Sequence, residues 1–125
     1  MKRILSVFLV VVLVACMAGC SKIRVPKNEL AVVTYYEDNQ RTTETSSKTL
    51  SAEASESLRQ ILKNAKHNAG IGGCSYNKKC TLAFGDQVFV FADDGCLTMM
   101  DVGNEKYYEI SQEDWQDIMR LITGW

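Results

Sequence analysis

The pattern of apolar and polar positions changes several times along the chain, and each change marks an element. Residues 1–20 hold 16 apolar positions, with Met1, Lys2 and Arg3 leading into an apolar run from Ile4 to Ala18 that only Ser6 interrupts. The 15 residues of that run would reach about 22 Å as a helix, short of a ~30 Å hydrocarbon core. A basic start, a short apolar run and small residues at its end predict a secretory leader rather than a membrane span.

Beyond the leader the periodicity alternates between strand and helix. Residues Glu29 to Glu37 are β-branched and aromatic and predict a strand, followed by an Asp38-Asn39 turn and a polar edge strand over Gln40 to Thr45. Ser51 is suited to cap a helix, with Glu53 in its first turn and Ala54, Leu58, Ile61, Leu62 and Ala65 at helical spacing. The helix is expected over 51–69, with Lys63, Lys66 and His67 near its carbonyl end and Gly70 as its stop. A meander follows: Cys80–Phe84, a Gly85-Asp86 turn, Gln87–Ala92, an Asp94-Gly95 turn, Cys96–Asp101, a Gly103-Asn104 turn and Lys106–Ile110. Gln87–Ala92 is apolar on both faces and belongs in the middle of a sheet. Ser111 caps a final helix with acids in its first turn, a stripe of Trp115, Ile118, Met119 and Ile122, and Gly124 as its stop. The whole predicts an α+β fold. Its antiparallel sheet is built from a hairpin and a three- to four-stranded meander, with two helices packed on one face.

Composition narrows the class. Residues 21–125 hold 42 apolar positions, or 40%, enough for one small domain over 29–125. The formal net charge of −1 argues against a nucleic-acid partner. Charge is nonetheless segregated: residues 21–79 carry ten Lys/Arg and six Asp/Glu, whereas residues 80–125 carry two and nine. An acidic face including Asp93, Asp94, Glu113 and Asp117 would suit a protein or envelope ligand with a basic surface; plain solubility is the alternative.

Met17-Ala18-Gly19-Cys20 resembles the lipobox of bacterial lipoproteins. The resemblance covers about twenty residues and does not extend into 21–125. It implies a diacylglycerol thioether on Cys20, cleavage before it, N-acylation in many members, and attachment to the extracytoplasmic face of a bacterial membrane. Leu13-Val14-Ala15-Cys16 is a second match that would make Cys16 the lipidated residue. Polar sequence beginning at Ser21, Lys22 and Arg24 favours Cys20. Several acyl chains anchor stably where one does so marginally. An uncleaved hydrophobic anchor, or an ordinary leader with a coincidental cysteine, is the competing reading. Residues 21–28 would then be a short tether, whose three cations could each add about 1 kcal/mol at an anionic bilayer.

The mature chain would keep Cys74, Cys80 and Cys96, and outside the cytoplasm a disulfide is the default. Two-residue turns set Phe84 opposite Gln87, Cys80 opposite Phe91 and Asp93 opposite Cys96. Cys80 and Cys96 would flank one strand at roughly 9–10 Å, beyond the ~7 Å Cα limit for a bridge. This favours Cys74–Cys96, with Cys74–Cys80 second. The spacing matches no paired zinc motif, His67 is the only histidine, and there is no C-x-x-C, so neither a metal nor another cofactor is expected.

Other candidate chemistry is weak. Ser75-Tyr76-Asn77-Lys78 matches S-x-x-K but lies in a loop without companion motifs. Gly70-Ile71-Gly72-Gly73 follows a helix rather than opening one, so carbonyls rather than amides face it. His67 has no recognisable catalytic partner, and Asp86, Asp93, Asp94 and Asp101 lie at or near turns without calcium-loop spacing. Tyr35/Tyr36 and Tyr107/Tyr108 put one ring on each sheet face, where half could line a binding face. The expectation is a non-enzymatic, lipid-anchored binding domain. A small envelope hydrolase using Ser75 or His67, or a structural envelope component, is the alternative.

Overall fold

A computed structural model describes residues 23–68 and 73–123. The leader with Cys16 and Cys20, the glycines at 70 and 72, and Gly124 lie outside the described residues. Among these residues the strands are β1 (Ala31–Tyr36), β2 (Glu44–Thr49), β3 (Lys66–His67), β4 (Tyr76–Phe84), β5 (Gln87–Ala92), β6 (Thr98–Asp101) and β7 (Lys106–Glu109). They form one antiparallel sheet in the order β2-β1-β4-β5-β6-β7-β3. Helices α1 (Ala52–Lys63) and α2 (Gln112–Thr123) pack against each other and against the sheet, giving the α+β fold that the periodicity predicts. The strand read as apolar on both faces, β5, is the middle of the seven.

Register explains the core. Val33 pairs with Leu82 and Leu82 with Phe89, so their side chains share one face. Phe91, Met99 and Tyr108 continue it across β5, β6 and β7. Leu58 and Leu62 of α1, with Ile118 and Ile122 of α2, complete the same buried cluster. Val90 and Ala92 point the other way; they are buried yet outside that cluster. On that second face the rings of Tyr76 and Tyr107 meet at 5.6 Å. The tyrosine doublets divide as expected: Tyr108 is core and Tyr107 lies opposite.

Several expected boundaries move. α1 stops at Asn64 rather than continuing to 69, because Lys66–His67 forms edge strand β3 against β7. His67 is therefore not a helix-terminal cation; its ring meets Tyr108 edge-on at 5.7 Å. The first hairpin has a wider loop than Asp38-Asn39. Asp38 accepts from the amides of Thr42 and Thr43, at 3.0 and 3.2 Å, and Arg41 takes a positive φ of 58°. The return strand consequently starts at Glu44. The turn after Phe84 is the expected one, with Phe84 opposite Gln87 and Gly85 at φ +60°; a Cβ on Gly85 would also crowd Glu29. Cys96 precedes β6 rather than opening it. Phe91 pairs with Met99, a register that places Asp93 opposite Leu97 and leaves Cys96 in the turn.

The segment expected to be a free tether is partly docked. Ile23 is 4% exposed and belongs to the core cluster, and Val25 packs on it. Arg59 of α1, 5% exposed, fastens this stretch. Its guanidinium donates to the carbonyls of Pro26 (3.0 Å) and Glu29, pairs with Glu56 and lies over the Phe84 ring. Arg59→Met is expected to cost about 2–3 kcal/mol, because two carbonyls lose a charged donor. Arg59→Lys should recover little, since one ammonium cannot reproduce the fork. Urea unfolding midpoints check both.

Candidate functional site

The sheet's register breaks at one place, and the break makes a cavity. Asn77 pairs with Phe91 but Leu82 pairs with Phe89, so five steps along β4 accompany two along β5. The local cause is an Asx turn: Asn77 Oδ1 accepts from the Lys79 amide at 3.0 Å, diverting the chain from the ladder. On its other edge β4 stays paired to β1, with Tyr35 opposite Cys80. The expected pairing of Cys80 with Phe91 is thus wrong, because a bulge separates them.

Beneath this bulge, α2 roofs a cavity of about 200 Å³. Its walls are largely apolar: Tyr35, Cys80, Phe91, Trp115, Met119 and Ile122, with Asn77, Asp93 and Thr123 adding polar groups. Phe91 and Trp115 meet edge to face, centroids 5.8 Å apart and planes at 81°. Burial pushes the Cys80 thiol up, an effect that its hydrogen bond to Tyr35 opposes, so it is a neutral thiol. Burial likewise raises the Tyr35 phenol, with Cys80 adding to it. Among the described residues Asp93 is exposed and has no ion-pair partner. Bulges of this kind re-aim side chains beside binding sites, and an apolar hollow with a few polar groups is what small-ligand sites share.

A second cluster lies on the loops that precede β4 and follow β5, next in sequence to the cavity-lining Asn77 and Asp93 but outside the cavity lining. The sulfurs of Cys74 and Cys96 and a carboxylate oxygen of Asp94 lie within 4.8 Å of one another. Asp94 joins the two loops, accepting from the Ser75 amide at 2.8 Å and the Cys96 amide at 3.2 Å. Those donors, Ser75 first, hold its carboxyl below the usual aspartate range. The Cys96 thiol is pushed up to about 12 by hydrogen bonding with Cys74 and Asp94. All three described cysteines are thiols here, and Cys80 is not in this cluster.

The remaining candidates separate. Asp93 lines the cavity on one flank of α2, whereas Asp117 lines a different hollow with Ser57 and Ile61 and pairs with Arg120. Asp93 and Asp117 therefore line different hollows. Asp101, buried, accepts from Asn104 and shapes the β6–β7 turn. It also lines a polar hollow of about 380 Å³ with Arg24, Gln87 and Lys106, at the opposite end of β5. Ser75 just precedes β4 and Lys78 lies within it. Three extended residues carry them ~10 Å apart, unlike the helical turn that S-x-x-K chemistry requires. The bulge, whose signal in the sequence is the polar Asn77-Lys78-Lys79 run, and the buried role of Arg59 are not among the features that periodicity predicts. Among the described residues no helix is long and apolar enough to cross a membrane. Comparison of the chain with protein-family models, curated protein sequences and solved structures finds no match.

Proposed function

We propose that this chain is an exported lipoprotein, anchored through Cys20 to the extracytoplasmic face of a bacterial membrane, whose domain binds a ligand in the cavity under α2. The observation that carries the binding reading is the register break between Asn77 and Leu82, which opens an apolar hollow in an otherwise continuous core. Its chemistry suits an apolar or aromatic body with an amine head. Phe91, Trp115 and Tyr35 receive the body, and the Asp93 carboxylate attracts the cation. A basic group on an envelope ligand or protein meets that description.

The anchor fits this use. If Cys20 carries the lipid, only Ser21 and Lys22 separate it from Ile23, which is packed in the core; three extended residues span about 10 Å. Ile23 lies with Gln87 at one end of β5, and the cavity with Ala92 and Asp93 at the other. A six-residue strand is roughly 20 Å long, so the cavity lies at the end of β5 away from the anchored segment.

Calorimetry on the full chain in lipid nanodiscs tests the reading with benzylammonium, benzyl alcohol and benzoate. Benzylammonium should bind tightest and benzoate weakest. Asp93→Asn should narrow the gap between amine and alcohol by up to about fivefold, the worth of an exposed charge pair. Met119→Trp, which fills the cavity, should abolish all three. Absence of binding by every probe, or binding that Met119→Trp leaves intact, would sink the proposal.

A further inference from the structure

We infer that Cys74 and Cys96 form a disulfide clasp that fixes the short β4–β5 ladder bearing the Asn77 wall of the cavity. Residues 78–81 part from β5, so Tyr76 and Asn77 meet it only through their pairs with Ala92 and Phe91. That two-residue ladder carries the Asn77 side of the cavity wall. Just before it, Ser75 accepts from the Asp93 amide at 2.9 Å and donates its own amide to Asp94. Cys74 then places its sulfur beside that of Cys96. A two-residue pairing is marginal by itself, and the sulfurs sit where a covalent link would fix it.

The chemistry balances by thiol–disulfide exchange. The Cys74 and Cys96 thiols each give up a proton, and an S–S bond forms between them. Their two electrons pass through a mixed disulfide to an exogenous disulfide oxidant, which leaves as a dithiol. Such oxidants belong to the extracytoplasmic space. A metal is the rival occupant of two sulfurs and a carboxylate. Among the described residues, however, the cluster supplies only three ligands where a structural zinc site takes four.

Cys80 supplies a readout that needs no ligand, because its thiol lines the cavity wall. The role of the clasp in holding the cavity wall rests on the cavity reading; the bond itself does not. The full chain is prepared in nanodiscs without reductant, alkylated with N-ethylmaleimide while folded, and mapped without reduction after trypsin and chymotrypsin. The expected map joins the Cys74 and Cys96 peptides and leaves Cys80 as the alkylated residue. Reduction with dithiothreitol, or the Cys74→Ser/Cys96→Ser pair, should speed Cys80 alkylation roughly tenfold, as local opening becomes easier. If that variant loses its near-ultraviolet dichroism, Asp94→Ala carries the test: it keeps both sulfurs and should raise the Cys80 rate by a smaller factor.

Free Cys74 and Cys96, a bridge to Cys80, or zinc retained on the two sulfurs would each overturn the clasp. An unchanged Cys80 rate after reduction would overturn its hold on the cavity wall. A linked, responsive pair without amine binding would leave the clasp standing and remove the ligand reading. Amine binding with unlinked cysteines would do the reverse.

Discussion

Phe89→Ala is expected to lower the unfolding free energy by about 3–5 kcal/mol, the range for emptying a fully packed phenylalanine site. Phe89 is fully buried in the middle strand. It pairs with Leu82 on one side and Asp101 on the other, and it belongs to the cluster that both helices close. For a domain of this size the melting temperature should fall by roughly 15–25 °C. Val90→Ala is the control. Val90 is equally buried but faces away from the helices, and loss of two methyl-sized groups there should cost only about 1.5 kcal/mol. Equal losses at the two sites would mean that the helix-covered face is not where the stability lies.

Replacement of Cys20 should have an all-or-none effect on attachment. Cys20→Ser removes the sulfur on which the proposed thioether would form, so metabolic labelling with a radiolabelled fatty acid should vanish and the leader should stay uncleaved. Cys16→Ser should label and mature normally. Loss of labelling in Cys16→Ser with retention in Cys20→Ser would move the anchor to Cys16; labelling in both variants would remove the lipoprotein reading. The docked position of Ile23 adds a second consequence. Insertion of ten Gly/Ser residues after Lys22 should free the domain from the bilayer surface without unfolding it, because Ile23 and the Arg59 contacts stay in place. Retarded protease access in the native chain, relieved by the insertion, checks this.

The parts of the fold legible in the sequence were those fixed by local rules. Gln87–Ala92 was apolar on both faces and lies at the centre of the sheet. Ser51 and Ser111 accept from Ala54 and Asp114 as N-caps do, and Gly85 takes the positive φ its turn needs. The illegible parts depend on partners distant in sequence. Lys66–His67 carries helix-compatible residues and becomes strand only because β7 offers an edge. Ile23 looked like part of a linker because its neighbours are polar, yet the core had room for it. Nothing local to Arg59 marks it for burial, because its carbonyl acceptors lie about thirty residues away.

The candidate site divides the same way. The preference for Cys74–Cys96 as a pair rested on turn register, and the structure brings those two residues together. Part of the register behind it was wrong, since Phe91 pairs with Asn77 rather than with Cys80. The cavity itself could not be read ahead. It exists because one Asx turn interrupts β4 on the β5 side while the β1 side stays paired, a difference between two neighbours that periodicity does not encode.

The measurement that bears most directly on the cavity as the ligand site is a methyl NMR titration of the full chain in nanodiscs, labelled at the methionine methyls and read with benzylammonium. Met119 lines the cavity, whereas Met99 lies in the closed core and Met100 on the other sheet face. The account predicts a saturable shift at Met119 that far exceeds those at Met99 and Met100 and that weakens in Asp93→Asn. Shifts spread evenly over the three methionines, or none at Met119 at saturating amine, would contradict it.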